Sequence, residues 1–158
     1  SEIIPYLPVA VEGMIKSGIG VYYMSWFENW RSQEKYYYSM EHGGFELNPE
    51  RSEGTFTKFS GLDGKIDGLQ YYSTYIKFGI GRAAYDAAQE IRHSYVTRDE
   101  GVALVKRYDG EFPKKCHQDC LEYMGINEDT FWKTIDSYRS PHIWKKDVNE
   151  WIMRHEIS

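Results

Sequence analysis

The feature that most limits how this chain can fold is a run of apolar residues at helical spacing, cut by two glycines. Ile66, Leu69, Tyr72, Ile76 and Ile80 recur at steps of three and four, which predicts a helix from about Lys65 to Lys77 with one buried face. Gly79 and Gly81 break it, and a second helix from about Arg82 to His93 carries Ala83, Ala84, Ala87, Ala88 and Ile91. Side chains that small let helices approach closely. Helix packed on helix is the expected architecture, a mainly α, multi-helix domain.

The remaining signals fit around that pair. A short helix over Val11 to Lys16 should stop at Gly18, and Gly20-Val21-Tyr22-Tyr23-Met24 reads as a strand, giving a short N-terminal strand region. Residues 1–30 form a connecting segment and residues 31–158 a helical domain. Ser32 has the residue type of an N-cap for a helix through Tyr36, Tyr37, Met40 and Glu41 that ends at Gly43-Gly44. Thr97 and Glu100 have capping-box spacing, with a stop near Gly110. Pro113 favours the first turn of a helix carrying Cys116, Cys120, Leu121 and Tyr123 to Gly125, and Asn127 can cap the next, which Ser140-Pro141 ends. Trp144 to Ile157 is too mixed to assign.

Charge and composition exclude whole classes. With 19 Lys+Arg against 24 Asp+Glu, the chain has no electrostatic grip for a nucleic-acid backbone. No run approaches the ~20 apolar residues of a membrane span. Ser1, with Pro5 and Pro8 interrupting the early apolar stretch, argues against a signal peptide. Two cysteines fit a reducing cytoplasm. Aromatic residues make up 16% of the chain, enough to serve a tight core, an interface or a ligand-lining wall.

Cys116, His117 and Cys120 hint at a metal, but no second pair of ligands completes a zinc site, and two ordinary half-buried thiols are the expectation. Ser60-Gly61-Leu62-Asp63-Gly64-Lys65 has the parts of a phosphate loop in the wrong order and without a preceding strand, so a plain turn is expected. Arg82, Asp86 and Glu90 follow one another at i, i+4 and form either a solvated salt-bridge ladder or, with Lys77 across the glycine break, a place for an anionic ligand. The irregular stretch from Glu46 to Asp63 holds Glu50, Arg51, Glu53, Thr55 and Lys58, the contents of a substrate-ordering loop or of a solvated connector. The five histidines are scattered, no nucleophile pair is visible, and no catalytic residue is assigned.

Longer strings carry a family likeness. Tyr36-Tyr37-Tyr38-Ser39-Met40-Glu41-His42-Gly43-Gly44-Phe45-Glu46, Asn48-Pro49-Glu50-Arg51-Ser52-Glu53-Gly54-Thr55, Lys65-Ile66-Asp67-Gly68 and Ile76-Lys77-Phe78-Gly79-Ile80-Gly81-Arg82-Ala83 resemble the C-terminal part of the N-acetyl sugar amidotransferases. Asp86 to Arg92, Arg98 to Val105, Tyr108-Asp109-Gly110-Glu111-Phe112-Pro113, Arg139-Ser140-Pro141-His142 and Trp151 to His155 continue it. The chain has Trp30-Arg31-Ser32 where the resemblance leads one to expect Trp-Asp-Pro.

The resemblance implies a cytoplasmic enzyme of bacterial lipopolysaccharide and surface-polysaccharide synthesis that converts a sugar N-acetyl group to acetamidino, with ATP and Mg and with ammonia from a glutaminase subunit. The family's Ser-Gly-Gly-x-Asp-Ser pyrophosphate loop is absent from these residues. The chain is therefore expected to be the C-terminal part of a larger α/β plus α protein, inactive alone and binding no ATP itself. Its part would be to wall a sugar-nucleotide or sialic-acid-like substrate against an N-terminal PP-loop domain. Lys77 and Arg82 would be anion contacts, Asp86 would orient Arg82, and Glu53, Lys58 and Asp67 would be further substrate-binding residues. The alternative is a non-catalytic helical module that docks the glutaminase or forms a homodimer.

Overall fold

The computed structural model describes residues 7–148 and 150–158. Ser1 and Pro5, used above against a signal peptide, lie outside the described residues. The chain divides into two compact units, Ser1–Trp30 and Arg31–Ser158. The mainly helical expectation holds: seven α-helices and a single two-stranded sheet make up the regular structure of the described residues, apart from one 3₁₀ turn.

In the first unit, α1 (Val11–Ser17) ends where Gly18 takes a left-handed φ of 64°, as the glycine predicts. The expected strand is not there. Residues 19–23 are irregular and exposed, and a 3₁₀ turn, Met24–Trp26, follows. A β-rich composition needs a ladder partner to become a strand, and among the described residues none pairs with this segment.

The second unit begins with α2 (Ser32–Gly43), closed by Gly44 at φ 65°. Its N-cap is Arg31 rather than Ser32, whose hydroxyl instead donates to Gln89 Oε1 at 2.7 Å. Tyr36 stacks on Phe59 at 5.2 Å, which fastens α2 to the long irregular connection after it. Then α3 (Asp67–Phe78) and α4 (Arg82–Arg92) flank the glycine break. Helix α5 (Arg98–Tyr108) starts on the predicted Thr97–Glu100 capping box and packs along α4, where Ala83 and Ala87 are buried and Gly101 faces Ile91. Pro113 opens no helix: α6 (His117–Met124) begins four residues later and ends at Gly125. Helix α7 (Glu128–Ser137) is capped by Asn127, whose Oδ1 accepts from the Thr130 amide at 2.9 Å.

The unassigned C-terminal stretch is a hairpin. Strands β1 (Trp144–Asp147) and β2 (Glu150–Met153) pair antiparallel with Trp144 opposite Met153. Trp144 is buried and its indole N–H donates to the Ile76 carbonyl at 2.6 Å, so the hairpin is tied to α3. The core gathers Leu69, Tyr72 and Ile76 of α3, Cys120 and Leu121 of α6, Phe131 and Ile135 of α7, and Trp144. Phe112 lines this core with its ring 5.1 Å from Tyr72, 4.8 Å from His117 and 5.0 Å from Trp132. Part of the aromatic excess is thus core, while Tyr22, Tyr23, Trp26 and Phe27 of the first unit are exposed.

Candidate functional site

The connection between α2 and α3 has no regular structure, so its backbone groups must find partners elsewhere. Within it, the Ser52 amide donates to the Thr57 carbonyl at 3.0 Å, the Thr55 amide to Ser52 at 3.2 Å, and the Ser52 hydroxyl to the Ser60 carbonyl. The rest of its order comes from α4 and from the segment after α5. The Ala83 amide donates to the Gly54 carbonyl at 3.0 Å. Asp86 Oδ2 accepts from Thr55 Oγ1 at 2.6 Å and from Ser60 Oγ at 3.2 Å, all three residues being buried.

Arg82 completes this network. Its Nε lies 2.9 Å from Asp86 Oδ1, close but off the hydrogen-bonding axis, and a terminal nitrogen donates to Ser60 Oγ at 3.2 Å. The guanidinium sits 5.2 Å above the Tyr71 ring. Asp86 therefore holds Arg82 in place. The solvated ladder is corrected on one point: Asp86 and Glu90 are buried, because the 52–60 connection and α5 cover α4. Glu90 Oε2 has no hydrogen-bond partner among the described residues, and burial pushes its carboxyl above the usual range.

A second pair pins the connection from its other side. Arg51 forks onto Glu111 with contacts of 2.6 and 2.7 Å, donates to the Thr55 carbonyl at 3.1 Å, and lies 4.6 Å over the Tyr108 ring. The Gly54 amide also donates to Glu111, at 2.8 Å. The Arg51 hydrogen bonds hold the Glu111 carboxyl below its ordinary value, and Gly54 adds to the effect. Glu111 was not among the residues singled out from sequence; its only signal was its place in the Tyr108 to Pro113 string.

Between these anchors lies a cleft of about 670 Å³, lined among others by Arg51, Glu53, Lys65, Tyr71, Lys114 and Lys115. Glu53 accepts from the backbone amides of Lys114 and Lys115, one on each carboxylate oxygen at 3.1 Å. The backbone of the lysine pair is thereby fixed while both ammonium groups remain without an ion-pair or hydrogen-bond partner among the described residues. Lys65 is paired with Asp119.

Of the residues expected to bind substrate, Glu53 lines this cleft, Arg82 adjoins it through Tyr71, and Asp86 is buried behind Arg82. Lys58 donates to the Pro49 carbonyl, Asp67 accepts from the Gly64 amide, and neither lines the cleft. Lys77 is exposed in the last turn of α3, its ammonium over the Phe78 and Tyr138 rings, and makes no contact with Arg82. The start of α4 is not open to a foreign anion either: Asp109 accepts from the Gly81 amide at 2.8 Å and from Ala84 at 3.4 Å.

The Ser60–Lys65 turn does not fit the phosphates of ATP. Its Ser60 hydroxyl is spent on Asp86, its Gly64 amide on Asp67, and no helix starts until Asp67. Cys116 and Cys120 are free thiols, and Cys120 is buried against the Lys65 carbonyl. Among the described residues no group of three His, Cys, Asp or Glu side chains is arranged to hold a metal ion, and no helix is long and apolar enough to cross a membrane.

Residues 53–157 match the family described as LPS biosynthesis protein WbpG-like, C-terminal domain. The chain belongs to this family. That membership places it in lipopolysaccharide biosynthesis, and no curated protein matches it. The matched span of the WbpG-like domain begins at Glu53 and includes Arg82, Asp86, Glu111, Lys114 and Lys115, whereas Arg51 and the first unit precede it.

Proposed function

We propose that this chain is the substrate-side domain of an ATP-dependent N-acetyl sugar amidotransferase of lipopolysaccharide biosynthesis, acting in the cytoplasm on a sugar nucleotide or a sialic-acid-like sugar. The observation that carries the reading is the 113–116 wall of the cleft, where Glu53 immobilises a backbone bearing two ammonium groups that have no ion-pair or hydrogen-bond partner among the described residues. Such groups suit the phosphates or carboxylate of an activated sugar. Arg82, fixed by Asp86 and stacked on Tyr71, stands at the edge of the same cleft and is the next candidate for an anion contact. Lys77, Lys58 and Asp67 lie off the cleft and would meet substrate only from another face. Activation of the amide by ATP and Mg would fall to an N-terminal PP-loop domain, and ammonia to a glutaminase subunit.

Calorimetric titration of the chain with a uridine diphosphate N-acetylhexosamine tests the reading. Lys114→Ala with Lys115→Ala should weaken binding by about tenfold or more, since a charge-assisted hydrogen bond contributes roughly 1.5–3 kcal/mol. Equal binding by the wild type and the double variant would withdraw the assignment.

The exposed rings of the first unit favour a second reading, in which the chain docks the glutaminase or a second copy of itself. Tyr22, Tyr23, Trp26 and Phe27 are 66–86% exposed, and aromatic side chains bury about 150–250 Å² each. Together with the aliphatic residues of α1 they approach the ~800 Å² that one partner contributes to a standard interface.

A further inference from the structure

We propose that a second cleft, formed by the end of α3, the start of α4, α5 and the C-terminal hairpin, binds a neutral pyranose ring. The cleft encloses about 760 Å³ and shares no lining residue with the lysine-rimmed one, and pockets of roughly 300–1,000 Å³ are the usual size for small ligands. Tyr75 and Trp151 give it aromatic walls, and Ile80, Val105, Ile143 and Ile152 give it aliphatic ones.

The polar groups in the cleft decide the class of ligand. Lys106 contributes one positive charge, against carboxylates of Asp109 and Glu156, with His155 beside them. A phosphate would meet more negative than positive charge there, and the apolar walls would leave a bare cation poorly solvated. A sugar ring meets both demands, with C–H faces for the walls and hydroxyls for the carboxylates and the ammonium. Asp109 is placed for this. Its Oδ2 takes the Gly81 amide at 2.8 Å and its Oδ1 the Ala84 amide at 3.4 Å, and a carboxylate oxygen that accepts one amide keeps a further lone pair for a hydroxyl. The family's place in lipopolysaccharide biosynthesis supplies the saccharide context. The proposal does not depend on the amidotransferase reading.

The test is a nuclear magnetic resonance titration of the full chain, following the indole N–H of Trp151 assigned with Trp151→Phe. N-acetylglucosamine, its uridine diphosphate conjugate and uridine diphosphate are added separately. The free sugar should shift the Trp151 signal in a saturable way, with a Kd on the order of 1 mM. A conjugate that binds more tightly here identifies the nucleotide sugar as the source, and equal affinity identifies a free glycan. Ile80→Trp, at an exposed position on the rim, should weaken the sugar response by about tenfold. Ile152→Trp on the hairpin serves if that variant melts early, and Lys133→Ala, exposed on α7 and lining neither cleft, should leave the response intact. The proposal is overturned by a response to uridine diphosphate alone, by no response to either sugar, or by a response that both rim variants leave unchanged. None of these outcomes bears on the lysine cleft, whose own readout is loss of nucleotide-sugar binding in the lysine variants.

Discussion

Glu111 accepts three hydrogen bonds, two from the Arg51 guanidinium and one from the Gly54 amide, and so joins the irregular connection to the end of α5. Its carboxyl titrates lower in the folded chain than in the unfolded one. A depressed carboxylate contributes stability that is complete above its unfolded pKa, about 4.3, and is lost as the pH falls through the folded value. Glu111→Gln should therefore cost about 1 kcal/mol at pH 7, the low end for a bidentate pair because both side chains are a third exposed. Urea denaturation should show the gap between wild type and variant closing below pH 4.3 or so. A gap of constant size down to the acid transition would rule out this pairing as its source. Sequence presented Arg51 as part of a polar loop but could not show its partner, because a contact across 60 residues leaves no local spacing to read. The same limit separated Lys77 from Arg82. They are near neighbours in the sequence, yet the break between them sends one over Tyr138 and the other over Tyr71.

Helix ends were the most legible elements, because caps are written in adjacent residues. Gly18, Gly44, Gly79 and Gly125 each close a helix in the left-handed region, and Thr97 with Glu100 opens one. The hairpin was not legible. Its turn contains Val148 at φ 51°, a conformation a β-branched residue seldom adopts, so the usual Asn-Gly signal is missing. Gly81 matters for a different reason. Its φ of −103° suits any residue, but an added Cβ would lie 3.0 Å from Asp109 Cγ and nearer still to Oδ1. Gly81→Ala should push Asp109 off the start of α4 and destabilise the fold by about 1–3 kcal/mol. A thermal melt that matched wild type would show that this space is not tight.

Over the whole molecule, burial is unevenly shared. Within residues 31–158, α3, α6, α7 and the hairpin share one core and α4 packs on α5, whereas every described residue before Arg31 is exposed. The fragment 31–158 should therefore fold alone and melt within about 2 °C of the full chain, given that a loss of 1 kcal/mol shifts Tm by about 2–4 °C at this size. A drop of 10 °C or so would assign the first unit a stabilising role that its exposure does not suggest. Within the larger unit, Asp109 is both the C-cap residue that follows α5 and the acceptor for two amides at the start of α4. Fraying at the C-terminal end of α5 would carry this carboxylate away from α4. Solvent deuterium should then reach the Gly81 and Ala84 amides in step with the last turn of α5, so that two segments almost thirty residues apart open as one cooperative unit.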